Sequence, residues 1–269
     1  MSFYSPQQIA VAAAESGERK AKLPLLPVLI LGFLAGAFIA FGFLLDIRVS
    51  GNVPKEWGSF AGFLGASVFP VGLVLVVLAG GELVTGNMMT VSMAWFSKKI
   101  TFSQVLKNWL FVTIGNFVGA VFVAYLFGHV VGLTEDGHFL AKTVSIAQAK
   151  LHDSFLQAFI SAIGCNWLVC LAVWLALGSQ DFAGKALGIW FPVMAFVAIG
   201  FQHVVANMFV IPAAIFAGHA TWSEYLPNFI AVYLGNIIGG TVFVSLCYYA
   251  AYGKNFNIKK EGMEWKQSA

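Results

Sequence analysis

Apolar residues fill this chain in long runs, and the charged positions fall between them. Asp, Glu, Lys and Arg are absent from Leu23 to Leu45, Trp57 to Gly81, Leu83 to Ser97, Asn108 to Thr134, Ser154 to Gln180, from Ala186 up to Glu224, and from Tyr225 to Gly253. About 20 such residues suffice for a helix to cross a bilayer. Two regions are too long for one straight crossing. From Trp57 to Ser97, interrupted only by Glu82, a continuous helix would extend roughly 60 Å against a hydrocarbon core of about 30 Å. Phe69-Pro70-Val71-Gly72 and Ala79-Gly80-Gly81 supply break points there, and Trp190-Phe191-Pro192-Val193 and Ala206 to Pro212 supply them in the second region. Irregular backbone is tolerated at that depth only where it is buried in protein or lines a cavity. The pattern therefore predicts an all-α integral membrane protein of six transmembrane helices, the second and fifth discontinuous.

Composition agrees with this. Of 269 residues, 59% are hydrophobic and only 10% charged, with 28 Gly and 26 Phe and a mean hydropathy of +0.82; Gly and aromatics are frequent in packed membrane helices. With both termini placed in the cytoplasm, 11 of the 15 Lys and Arg fall inside, and Arg48, Lys55, Lys142 and Lys150 fall outside. That bias follows the positive-inside rule, and an odd number of spans would spoil it. The division expected is a cytoplasmic amphipathic helix in residues 1–22, capped at Ser5 and ending near Gly17, a membrane domain in 23–253, and a cytoplasmic tail in 254–269. No cleavable signal peptide is read, and the loops are too small for a soluble catalytic domain.

The two halves repeat. Asn108 to Gly119 echoes Asn228 to Gly239 at an offset of 120, with Gly115-Asn116-x-x-Gly119 answering Gly235-Asn236-x-x-Gly239. Asn87 matches Asn207 at 120, and Phe69-Pro70-Val71 matches Phe191-Pro192-Val193 at 122. Three spans per half place the halves, about 23–134 and 150–253, upside down relative to each other, an inverted 3+3 repeat whose interrupted helices meet near the midplane. Gly32 and Gly36, with the repeated pairs, permit close helix packing. Asn116 and Asn236 beside them either join interhelical and backbone hydrogen bonds or face the lumen.

Few titratable groups lie at depth. His203 is the only mid-membrane histidine, and an intramembrane ionisable group is a functional candidate by default. It is read as a lumen-facing donor next to the helix end at Val204 to Asn207, where backbone N–H groups attract anions. Glu82, a charge that would repel an anion, is read as protonated or satisfied by N–H groups of its own loop, anchoring the structure together with Asn87. Thr85 offers a hydroxyl able to face His203. Lys150 is either a vestibule cation or a solvated loop lysine, and Asn166 either glues helices or lines the way through. Cys165, Cys170 and Cys247 form no ligand pair, and no His-x-x-x-His, nucleotide or dinucleotide motif is present, so no metal, cofactor, nucleic acid or enzymatic activity is expected. A neutral-solute pore of the aquaporin type is the rival reading; it leaves the central His and the outer Lys without a purpose.

The blocks Phe69-Pro-x-Gly72-Leu73, Gly81-Glu-Leu-Val-Thr85-Gly-Asn87, Gly115-Asn116-x-x-Gly119, Cys165-Asn166-Trp167-Leu-Val169-Cys170 and Gly200-Phe-Gln-His203-Val-Val-Ala-Asn207-Met208 together resemble the formate/nitrite transporter family, over nearly the whole chain. That resemblance implies an aquaporin-like protomer within a homopentamer in the cell's inner membrane. Each protomer would pass formate, or alternatively nitrite or hydrosulfide. It also implies that His203 and Thr85 form the centre of the path, that Lys150 and Asn166 help draw in and position the anion, and that Phe69, Leu73, Phe196 and Val169 form apolar constrictions; Asn207, at the helix end beside His203, is counted among the residues of the path.

Overall fold

The computed structural model describes residues 3–253, the Lys55 side chain apart; the tail expected at 254–269 lies outside them. Among the described residues there are ten principal helices. α1 spans Pro6–Ala21, α2 Leu25–Ser50, α3 Phe60–Gly80, α4 Val84–Phe96, α5 Phe102–Val130, α6 Gly137–Leu151, α7 Phe155–Gly178, α8 Phe182–Ile199, α9 Val204–Phe216 and α10 Trp222–Tyr252. Six of them, α2, α3, α5, α7, α8 and α10, are long and apolar enough to cross a membrane. The half-helices α4 and α9 complete the second and fifth crossings.

Local chemistry starts these helices where they start. Ser5 and Gln8 form a reciprocal capping box ahead of α1, with Pro6 in the first turn, where its missing N–H costs nothing. Thr101 with Gln104 opens α5, and Thr221 with Glu224 opens α10 in the same way. The α1 helix runs past Gly17, where it was expected to end. Gly17 is buried, and a Cβ there would collide with the Thr90 carbonyl of α4. Its apolar face, Ile9, Ala10, Ala13 and Ala14, packs with Met89, Met93 and Trp174.

The breaks fall at glycine, not at proline. Pro192 and Pro212 lie inside continuous helices, and Pro70 marks only a local irregularity within α3. The chain leaves the helix at Gly80, with φ +100°, and at Gly200, with φ +87°, a region that residues with a Cβ rarely adopt. In the second half the break is thus Gly200 to His203, upstream of the expected Ala206 to Pro212.

The inverted repeat is written in hydrogen bonds. Asn116 accepts from the Val84 N–H at 2.9 Å and donates to the Gly32 and Glu82 carbonyls, each at 2.8 Å. Asn236 accepts from the Val204 N–H at 2.9 Å and donates to the Ala162 and Gln202 carbonyls at 2.8 and 3.2 Å. Asn87 donates to Glu82 and Asn108, and Asn207 to Gln202 and Asn228, at the same distances of 2.7 and 3.0 Å. Asn108 then donates to the Lys20 carbonyl and Asn228 to that of Lys150. The offset is 120 through both breaks, so the proline match at 122 falls out of this register. The pairing of Lys20 with Lys150 makes α1 the counterpart of α6.

Candidate functional site

The two breaks bring their first residues together. Leu83 and His203 are the N-cap residues of α4 and α9, both in extended backbone. The His203 Nδ1 accepts from the Ala206 N–H at 3.0 Å, so the neutral ring carries its proton on Nε2. That Nε2 lies 3.0 Å from Thr85 Oγ1 on α4. Donation from Nε2–H to Thr85 leaves the threonine's own hydrogen available to a third atom. Both residues are buried. The N–H groups of Val204 and Ala206 are already taken by Asn236 and His203, so the helix end offers fewer anion donors than its position suggests.

Aromatic rings close over this pair. Phe196 stacks on the His203 imidazole with centroids 5.6 Å apart, and Phe69 meets Phe196 edge-on at 5.7 Å. Phe43, which the sequence did not single out, packs edge-on against Phe69 at 5.5 Å. Leu73 lies one turn further along α3, and Phe69, Leu73, Phe196 and Val169 are all at most 3% exposed.

Two cavities approach this plug from opposite ends. One, of about 350 Å³, reaches Phe43, Phe69, Phe196 and His203 and is walled by Asp46, Lys142, Lys150, Asp153 and Gln202. The other, of about 640 Å³, reaches Leu73, Leu83, Gly86 and Asn87 and is walled by Lys20, Glu82, Thr90, Val173 and Lys185. The division falls between Phe69 and Leu73, a single turn of α3. Val169 lines neither cavity and lies one turn from Val173, which does. The last turns of α3, Leu75–Gly80, are π-helical, a widened winding that often marks functional sites.

Glu82 meets expectation in part. Asn87 Nδ2, within its own loop, donates to the carboxylate at 2.7 Å, and the remainder comes from outside the loop, where Lys20 Nζ of α1 pairs with it at 2.7 Å. Asn166 sits behind Thr85, its amide donating to the Thr85 and Asn236 carbonyls at 3.2 and 2.7 Å. Asn207 lies in the anchoring network below the break, and its Oδ1 is buried without a partner. Lys150 is half-buried on the smaller cavity, with Nζ 3.4 Å from the Phe201 carbonyl. Asp46 and Gln202 also face that cavity. Asp46 carried no sequence signal because it reads simply as the charged end of the second helix, and Gln202 because an amide beside a histidine has no distinctive spacing. Among the described residues no group of three or more His, Cys, Asp or Glu could hold a metal ion.

The family model described as Formate/nitrite transporter matches residues 7–250. The chain is 61% identical over 260 residues to the formate channel BtFdhC of Bacillus thuringiensis, covering 97% of this chain and 100% of that protein. It is 64% identical over 261 residues to the uncharacterized transporter YrhG of Bacillus subtilis, with 97% and 98% covered, and 34% identical over 270 residues to the formate channel FocA of Escherichia coli, with 92% and 94% covered. Among solved structures, an FNT family ion channel superposes with a TM-score of 0.85 at 30% identity, covering 91% of this chain and 98% of that one. A pentameric formate channel with formate bound does so with a TM-score of 0.74 at 32% identity, covering 85% and 97%.

Proposed function

This chain belongs to the formate/nitrite transporter family, and on that premise we propose that it conducts formate across the cytoplasmic membrane, with Thr85 and His203 sharing a proton with the anion midway. At the coarser level it is a multi-pass membrane protein that passes small anions through a pore, and its relatives are channels and transporters, not enzymes. The 61% identity to a formate channel favours formate over nitrite or hydrosulfide.

The observation that carries the mechanism is the 3.0 Å contact of Thr85 Oγ1 with His203 Nε2 at the seam between the two cavities. We assign the smaller cavity to the outer side and the larger to the cytoplasm, with both termini cytoplasmic. Lys150, on the outer wall, attracts the anion. Transferring a bare charge past Phe69, Phe196, Leu73 and Val169 is costly. A weak-acid anion arriving at Thr85 accepts a hydrogen bond from the hydroxyl, itself backed by the Nε2–H of His203; a proton taken from the outer water and relayed through this pair joins the anion, which crosses the apolar rings as the neutral acid and releases the proton to water on the far side. Asn166 and Asn207 act in this scheme by fixing the Thr85 backbone and the α9 break. The aquaporin-type alternative has no use for an imidazole proton aimed at the seam.

Formate flux into proteoliposomes tests this. The His203→Phe variant should lose most of the flux; unchanged, equally pH-dependent flux would remove His203 from the mechanism.

A further inference from the structure

The outer cavity holds a carboxylate that the transport scheme leaves unused. Asp46, on α2, is only 6% exposed yet lines the same cavity as Lys142, Lys150 and His203. It lies three residues beyond Phe43, whose ring packs against Phe69. On the facing helix α3, Gly65 lies four residues before Phe69, and a Cβ there would collide with the Asp46 carboxylate. Both spacings amount to about one helical turn. The carboxylate therefore stands one turn outside the aromatic constriction, in a slot that a glycine opposite leaves open.

Its surroundings leave it only partly compensated. The Ser50 hydroxyl has one hydrogen, directed between the Asp46 carbonyl at 2.8 Å and Oδ1 at 3.0 Å. Among the described residues no cation lies within ion-pair distance of it. The cations that share its cavity are Lys142 and Lys150 of α6. Asp153, the second carboxylate on this wall, accepts from Gln202 Nε2 at 2.8 Å, and His203 closes the deep end. Arg48, on the same helix as Asp46, is turned away over the Phe139 ring at 3.6 Å.

We propose that Asp46 is the charge-selecting residue of the outer cavity. Ionised, it cancels part of the lysine field that gathers anions; protonated, it releases that field, so formate uptake rises as the outside is acidified. Charges in a low-dielectric cleft alter local ion concentration by about tenfold or more, enough for one carboxylate to set the anion occupancy. This rests on the transport reading above, and it assigns to that cavity a specificity determinant separate from the His203 seam.

Uptake of radiolabelled formate by intact cells, measured between about pH 4 and about pH 8 on the outside, a span that takes in both the ordinary carboxylate and the imidazole ranges, tests it. The Asp46→Asn variant should take up about threefold more at the alkaline end, with a flattened profile, while Asp46→Glu keeps the wild-type slope. Unchanged Asp46→Asn uptake, or loss at every pH with the slope retained, would overturn the assignment. Should Asp46→Asn fail to assemble, Ser50→Ala decides. Removing a donor from the ionised carboxylate should move the midpoint of the profile to higher pH, and an unmoved midpoint overturns the proposal. A wild type that takes up no formate would overturn the transport reading itself, and this inference with it.

Discussion

Glu82 and Gln202 occupy the same place in the two halves and act differently on the lysine beside them. Glu82 pairs with Lys20 at 2.7 Å, cancelling a charge on the larger cavity. Gln202 carries no charge and donates to the Lys150 carbonyl and to Asp153, so the ammonium of Lys150 faces the smaller cavity without a carboxylate partner among the described residues. Lys150→Gln should raise the formate concentration needed for half-maximal uptake by about fivefold or more. Burial pushes the Lys150 ammonium below its ordinary pKa, so its attraction fades at a lower pH than an exposed lysine's would. Lys150→Arg, charged throughout, should hold uptake further into the alkaline range; concentration series at several alkaline pH values check both outcomes, and identical profiles for wild type and Arg would refute the role. His203 was legible in the sequence because it was the one histidine placed at mid-depth in a long run free of Asp, Glu, Lys and Arg. The ion pair of Glu82 was not, since its partner lies 62 residues away and looked like one more cytoplasmic charge.

At the level of elements, the half-helices are held by two asparagines, each serving three buried backbone groups that a broken helix would otherwise orphan. Asn236 accepts from Val204 and donates to Ala162 and Gln202; Asn236→Ala strands all three. The expected loss is about 2–4 kcal/mol, read as a lower unfolding temperature in detergent, and a variant as stable as wild type would show that the break supports itself. The Gly-Asn-x-x-Gly repeat did point to these residues, and its glycines pack as expected: a Cβ at Gly36 would collide with the Asn116 carbonyl, and one at Gly235 with that of Phe159. The position of the breaks was harder to read. Proline marks a lost hydrogen bond, which α8 and α9 absorb, whereas the turn itself needs positive φ, which Gly80 and Gly200 supply.

At the scale of the molecule, six apolar crossings enclose a polar seam and leave much apolar surface outward. Helix α8 is the least buried span, with Leu187, Phe191 and Ile199 all exposed. Such surface suits lipid and, as we propose, neighbouring copies in a pentamer. Native mass spectrometry in a mild detergent should give five chains of 29.0 kDa each; a monomer as the sole species would refute the pentamer while leaving the single-protomer path intact.

The crossings, the inverted halves and the family could be read from the chain alone, because hydrophobic run length, charge bias and repeated Gly-Asn spacings are properties of residues taken in order. Tertiary structure alone decided which groups meet at the seam and on the cavity walls. The contact of Thr85 with His203 spans 118 residues, and the burial of Asp46 depends on a glycine in another helix. Such pairings arise only when packing brings distant turns to the same depth.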